Sequence, residues 1–323
     1  MSIKNLVFNN IIIKIHWFSI ITLVIIQLFF FNVVLAHCWL SDGKVELSNS
    51  TSFAVLNGSI KAEGNSGLAC SGLSMTLLTH NKIKGKIIGT YNNMQLKNLD
   101  GSGDTISYMI YPDKNYQYAY KSGDSIDYKS LNLISMILSS TNSRVPLYIK
   151  TSPNANVRAG VYQDIIQMNW EYSICRFGSL VCFSSWNGKG STFITVKIII
   201  NKDCIINNIP DINFGSHALI HQFKSSTINM TVSCTKQENY KLWFTEGNHF
   251  QDQWRRLSDN NNHYIQYNLY HPENNLIWNK NNTKQFIGTG FPQLIAYKAI
   301  INPTQIDVPS GNYTDTVSVI IEY

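Results

Sequence analysis

Six cysteines, Cys38, Cys70, Cys175, Cys182, Cys204 and Cys234, have the clearest chemistry in this chain. An even number with no CxxC pair suits disulfide bridges better than a metal site. His217 and His221 stand four apart, a spacing a helix could turn to metal binding, but Ala218 occupies the position where a zinc hydrolase carries Glu. No Gly-x-Ser-x-Gly elbow occurs. Gly101-Ser-Gly103, Gly188-Lys-Gly190 and Gly288-Thr-Gly290 each begin a dinucleotide fingerprint without its third glycine, so they read as turns. No convincing pair of carboxylates stands out. The chain therefore reads as a non-enzyme without a cofactor, held together by bridges.

The elements that must position those cysteines are strands. Charged residues make up only 14% of the 323, which excludes a long-helix or coiled-coil protein. Beyond Ala36, short β-rich runs alternate with Asn, Gly, Asp, Ser and Pro. They include Leu73–Leu78, Thr105–Tyr111, Val145–Lys150, Ile165–Tyr172, Thr192–Ile200, Thr227–Cys234, Tyr240–Thr245, Tyr264–Tyr270, Leu294–Ile301 and Thr314–Tyr323. Strands at this spacing predict an all-β protein of antiparallel sandwiches. The run Leu131–Leu138 fits a strand or a short helix equally well.

The front of the chain says where those bridges form. Lys4 and Lys14 precede the apolar run Ile15–Leu35, which ends in Val34-Leu35-Ala36. That pattern predicts a signal peptide over residues 1–36, cleaved before His37. The run could span a bilayer if retained, but no cluster of Lys or Arg follows it. Removing Lys4 and Lys14 takes the formal charge from +6 to +4. With only Arg255–Arg256 as adjacent arginines, no basic stripe suggests a nucleic-acid partner. Export makes bridged cysteines the default.

The two parts of the mature chain repeat one plan. Cys38 and Cys70 lie 32 positions apart, Cys204 and Cys234 lie 30 apart. Each pair is followed by a tyrosine-rich strand ending before proline, Ile106–Asp113 and Ile265–Glu273. Each part closes on a Gly-x-Tyr-x-Asp turn, Gly160–Asp164 and Gly311–Asp315, feeding a strand. Three landmarks in the same order indicate a tandem repeat. Pairing follows as Cys38–Cys70 and Cys204–Cys234, each closing a loop worth roughly 3–4 kcal/mol, with Cys175–Cys182 closing a small local loop. Asp164 and Asp315 are expected to cap backbone N–H groups. The division is placed in the flexible-looking Asn187-Gly-Lys-Gly-Ser191, giving domains 37–190 and 191–323. Thr192–Ile200 could close the first domain or open the second; the nearby Cys204 favours the second.

The second part resembles the spore coat U domain family. The resemblance is carried by Cys204, Ile212-Asn-Phe-Gly215, Val232–Lys236, Tyr240, Arg255-Arg256-Leu257, Tyr264–Tyr270, Trp278 and Gly311–Tyr323. The first part matches less well: it lacks Phe-Gly after Cys38 and reads as carrying an insertion over His80–Asn93. The family includes the secreted pilins of archaic, Csu-type chaperone–usher pili, and the two-domain layout is similar to that of a tip adhesin.

The resemblance implies two tandem immunoglobulin-like sandwiches, the C-terminal one lacking its last strand. Its implied partners are a periplasmic chaperone, an outer-membrane usher and an adjacent pilin that donates a strand. The last strand of the chain, with Val317, Val319, Ile321 and Tyr323, would then edge an open groove. The expected mature start at His37-Cys38 leaves no extension to donate, which places the subunit at the distal tip of a cell-surface fibre, with attachment and biofilm formation as its role. The alternatives are a minor adaptor or structural subunit without its own receptor, or a secreted carbohydrate-active enzyme.

Candidate contacts with an abiotic surface or a glycan are apolar and aromatic residues in expected loops of the first domain. Ile83, Ile87, Ile88 and Tyr91 sit in the insertion; Tyr116, Tyr118 and Tyr120 crowd the loop after Asp113; Leu180, Val181, Phe183 and Trp186 surround the small bridge. Such side chains displace water from apolar material or stack on sugars. The competing reading of each is a strand with one buried face.

Overall fold

The computed structural model describes residues 37–71, 82–128, 143–177 and 182–323. The expected signal peptide and the runs Leu73–Leu78 and Leu131–Leu138 lie outside these residues. The first domain contains β1 (His37–Leu40), β2 (Gly43–Glu46), β3 (Ser50–Thr51), β4 (Lys61–Ser71), β5 (Lys82–Thr90), β6 (Gln95–Asn98), β7 (Thr105–Tyr111), β8 (Ser125–Asp127), β9 (Ser143–Thr151), β10 (Gly160–Phe177) and β11 (Ser184–Asn201). The second contains β12 (Cys204–Asn208), β13 (Ser226–Cys234), β14 (Asn239–Phe244), β15 (Arg255–Ser258), β16 (Tyr264–Tyr270), β17 (Lys284–Ile287), β18 (Gln293–Ile301) and β19 (Val319–Glu322). Period-two alternation explains most of them. In β5 every second residue is buried, and in β11 Thr192, Ile194, Val196, Ile198 and Ile200 all point into the core. Among the described residues the one α-helix, α1 (Ser52–Asn57), is capped by the Thr51 hydroxyl, which accepts from the Ala54 N–H. Among the described residues no helix is long and apolar enough to cross a membrane.

The sheet of the first domain runs β11-β2-β4-β9-β7-β6-β10, and β10 then pairs back onto β11. A sandwich of two sheets was expected; instead one sheet closes on itself around one core. The cause is the 18-residue length of β10 and β11, which lets β10 reach β5 and β6 while β11 reaches β2 and β3 in parallel. The second domain is a two-layer sandwich, with β12-β13-β18-β16-β15 in one sheet and β17-β14-β19 in the other.

The pairings of the two domains correspond strand for strand. β1–β4 matches β12–β13, β4–β9 matches β13–β18, β9–β7 matches β18–β16, β7–β6 matches β16–β15, β5–β8 matches β14–β17, and β10–β5 matches β19–β14. Even the contact of β6 with β10 recurs as the single bridge Ser258↔Thr314. This correspondence corrects two expectations. First, β5 occupies the place of β14, so of the expected insertion His80–Asn93 the described part that forms β5, Lys82–Thr90, has a counterpart in the second domain. Second, a division after residue 190 cuts through β11: residues 191–201 pair with β10, and their side chains fill the first core. Gly188 and Gly190 signal close packing rather than a linker. A Cβ on Gly188 would sit 2.3 Å from the Tyr172 ring, and one on Gly190 2.4 Å from Leu40.

Only Lys202 and Asp203 separate β11 from β12, and the joint is fastened by side chains. Thr235 accepts from the Asp203 N–H at 2.8 Å and meets the buried Ser52 hydroxyl at 2.8 Å. Lys236 donates to Asp104 at 2.7 Å, and the Asn156 amide donates to the Thr289 carbonyl at 3.0 Å.

Candidate functional site: an unpaired edge in the second domain

Each domain carries the same pin where its Gly-x-Tyr-x-Asp turn enters a strand. In the first, Tyr162 donates to the Arg158 carbonyl four residues upstream at 2.8 Å. In the second, Tyr313 donates to the Pro309 carbonyl, again four upstream at 2.8 Å. Both are tyrosine corners, which fix the entry of the strand that follows. The aspartates cap backbone as expected: Asp164 accepts from the Asn92 and Ile165 N–H groups, Asp315 from those of Asn248 and Thr316. Each also accepts a phenol proton across the core, from Tyr108 at 2.9 Å and Tyr267 at 2.7 Å. Burial first, and the adjacent carboxylate second, push both phenols well above the ordinary tyrosine range. These tyrosine partners were missed in the sequence, although the matched tyrosine-rich strands held the signal.

What differs between the copies is what covers the pin. Counted from the aspartates, Ile166, Met168 and Trp170 of β10 correspond to Val317, Val319 and Ile321. The first three are fully buried under β11; the second three are only half-buried. Among the described residues, no strand lies beyond β19 as β11 lies beyond β10. The flank changes too. Residues 41–60 give the first domain β2 and β3, which run parallel to β11. The corresponding stretch 209–225 forms no strand and lays Ile212, Phe214 and Phe223 half-buried on the core. Among the described residues, the first core thus has 28 buried apolar residues and seven partly exposed around them, while the second has 15 and 13.

The end of β14 is densely hydrogen-bonded. Arg255 is buried, with Nε on the Thr245 carbonyl at 2.8 Å, Nη2 on the Phe244 and Trp278 carbonyls at 3.1 and 3.0 Å, and Nη1 on Asn268 at 3.2 Å. Burial lowers its pKa from the ordinary arginine value. Trp278 donates its indole N–H to the Leu242 carbonyl at 2.6 Å. The end of β14, the strand that carries β19, is therefore held by a cation bonded to neutral carbonyls and an amide.

All three bridges form, Cys38–Cys70, Cys175–Cys182 and Cys204–Cys234. The first and last join residues directly opposite each other on antiparallel strands. His217 and His221 are exposed, and His217 packs edge-on against Phe223. The surface candidates divide. Ile83 and Ile87 are 3% and 0% exposed, so they belong to the core and not to any contact surface; alternation along β5 turns them inward. Tyr116 packs against Tyr111 and Tyr148, and Tyr120 against the core. Ile88, Tyr91, Tyr118 and Phe183 are 39%, 66%, 75% and 76% exposed. Trp186 is half-buried against His37, and Leu180 and Val181 lie outside the described residues. These residues do not form one site. Phe183 sits at the end of the β10–β11 hairpin, roughly 40 Å along β10 from the residues beside Tyr91. Tyr91 instead meets Phe193, edge to face at 6.4 Å.

A sequence profile of the spore coat protein U domain matches residues 26–169 and 191–320. No curated protein matches the chain in sequence. Among solved structures, a chain of the CsuC–CsuE chaperone–tip adhesion subunit pre-assembly complex, from archaic chaperone–usher Csu pili of Acinetobacter baumannii, matches with a TM-score of 0.66. The two are 21% identical over 89% of this chain and 100% of that one, a likeness of fold. A mutant of the CFA/I adhesin CfaE from enterotoxigenic Escherichia coli aligns over 87% of this chain and 92% of its own, with 10% identity and a TM-score of 0.32.

Proposed function

Because the chain belongs to the spore coat protein U domain family, we propose that it is a subunit of a chaperone–usher pilus whose second domain is completed by a strand from another subunit. The observation that carries this reading is the contrast between buried Ile166, Met168 and Trp170 and half-buried Val317, Val319 and Ile321 at matching positions. An incoming extended segment with alternating apolar residues adds hydrogen bonds along β19 and covers those side chains. Four or five apolar side chains buried at ~1.5–3 kcal/mol each amount to a gross gain on the order of 10 kcal/mol. Before assembly a periplasmic chaperone covers the same edge, and an outer-membrane usher receives the complex.

The first domain has its own closing strand, which frees it for contact with a surface. On this reading the subunit is the tip adhesin, exposed at the cell surface, and the hairpin end around Phe183 and Trp186 touches the material to which cells attach in a biofilm. The test is co-expression with a pilus chaperone. The wild-type chain is expected to co-purify with it in equal amounts, and a Val319→Asp, Ile321→Asp variant to lose it. Recovery of soluble, monomeric wild type without a chaperone would overturn the reading. Phe183→Ser in assembled fibres is expected to lower attachment to plastic with fibre number unchanged.

A further inference from the structure

One flank of the first domain carries groups that its copy in the second domain lacks. The segments that follow β5 and β14 are pinned by matching bonds: the Asn92 N–H donates to Asp164 at 2.9 Å, and the Asn248 N–H to Asp315 at 2.9 Å. The residue before that donor is Tyr91 in the first domain and Gly247 in the second. Gly247 has a φ of +80°, and a Cβ there would lie 2.2 Å from an Asp315 oxygen, so the second copy has no room for a side chain. The strand beside it changes in the same sense. Gln163, Ile165 and Gln167 face outward from β10, where the second domain has Thr314, Thr316 and Ser318.

Tyr91 is held in place by its own turn. Its N–H donates to the Ile165 carbonyl at 3.0 Å, and the Asn92 amide to the Gln163 carbonyl at 3.2 Å. Asn93 and Met94 then both take left-handed φ values, 54° and 58°, closed by the Gln95 N–H on the Asn92 carbonyl at 3.2 Å. Methionine is a strained residue at a position that favours glycine. So fixed, the Tyr91 ring is 66% exposed and meets Phe193 edge to face, while Phe193 lies across from Gln167 on the β10–β11 ladder. Among the described residues nothing hydrogen-bonds the side-chain amides of Gln163 and Gln167. The charges around them are mixed. Glu46 holds Lys44 at 2.7 Å and lies across from Lys197, Asp42 accepts from the Phe193 N–H, and Lys97 lies across from Gln163.

We infer that this patch binds a neutral sugar unit of a glycan. Tyr91 stacks its ring on the C–H face of the pyranose, Phe193 fixes the tilt of that ring, and the Gln163 and Gln167 amides hold the hydroxyls. Each amide offers donor and acceptor together, which suits a hydroxyl that is also both. Lysines and carboxylates interspersed around the patch set up no field of one sign that would select an anion or a cation. Two rings and two amides are also too small an area for a stable protein interface, which needs about 800 Å² on each partner. The inference does not depend on the open edge of the second domain or on where in a fibre the subunit stands.

The test places the full chain, with its chaperone where one is needed for solubility and the chaperone alone as blank, on a printed array of neutral, acidic and amino-sugar glycans. Neutral glycans are expected to give the strongest binding, and titration of the best of them to give affinities within about twofold of each other at low and high NaCl. Tyr91→Ala is expected to lower that affinity about tenfold and Tyr91→Phe to keep it within about twofold, because stacking needs the ring and not the phenol. Gln163→Ala with Gln167→Ala should weaken it several-fold. Melting temperature and attachment to plastic are expected to stay unchanged in all three variants. Strongest binding to acidic or amino-sugar glycans, binding to none, or an unchanged affinity in Tyr91→Ala would overturn the inference. So would a Tyr91→Ala variant that keeps glycan binding but changes its sedimentation, which would make the patch a protein contact. Loss of plastic attachment in Phe183→Ser with glycan binding intact separates this flank from the hairpin end.

Discussion

Asp164 and Asp315 each hold two backbone N–H groups and a tyrosine phenol, so each ties three chain segments together. Their capping role could be read from the repeated turn; the phenols could not, because nothing local says that residues 56 and 48 positions away will face them. Tyr108→Phe is expected to destabilise the first domain by about 2 kcal/mol at pH 8, the scale of a hydrogen bond to a charged group. The pH dependence has a fixed sign. With a native pKa raised above the ordinary ~10 of the unfolded chain, the phenol contributes stability in full below pH 10. That contribution falls as pH rises beyond 10, because only the unfolded chain ionises readily. Urea titrations at pH 8 and pH 11 should show a larger loss in wild type than in Tyr108→Phe. Arg255→Leu, which strands three buried carbonyls, is expected to lower the stability of the second domain by about 3 kcal/mol, read from its own denaturation transition.

At the scale of elements, β7 and β16 were legible residue for residue because tyrosine and isoleucine alternate cleanly there. β5 was harder to place. Its lysines and isoleucines also fit an exposed loop, and only pairing with β10 shows that Ile83 and Ile87 turn inward. Gly188 and Gly190 misled for a related reason: glycine marks close approach as readily as freedom, and the approach comes from Tyr172 and Leu40, far away in sequence. Gly188→Val is therefore expected to unfold or markedly destabilise the first domain, monitored by circular dichroism. β11 and β19 make the sharper pair. Ile198→Asp, in a filled core, should prevent the first domain from folding, with a loss of several kcal/mol. Ile321→Asp, at a half-open position, should leave the second domain folded and remove its ability to take a strand.

At the scale of the whole molecule, two copies of one plan differ among the described residues by β11 and by β2 and β3 beside it. In the first, β11 closes the sheet; in the second, the matching edge is uncovered among the described residues. The joint between them is short, with Lys236 on Asp104 and Ser52 on Thr235, so the domains are expected to move together rather than swing on a linker. Asp104→Ala should loosen that joint, seen as a broader distribution of inter-domain distances in spin-label measurements. Sequence repeats revealed the two domains, but the residues that lock them are single polar side chains with no periodic signature. The most direct test is hydrogen exchange on the purified chain, with and without a peptide that copies the alternation of Thr192–Ile200. The account predicts new protection at Val317–Tyr323, none added in the first domain, and a melting transition of the second domain raised by several degrees. Absence of protection at Val317–Tyr323, or full protection there before any peptide is added, would contradict it.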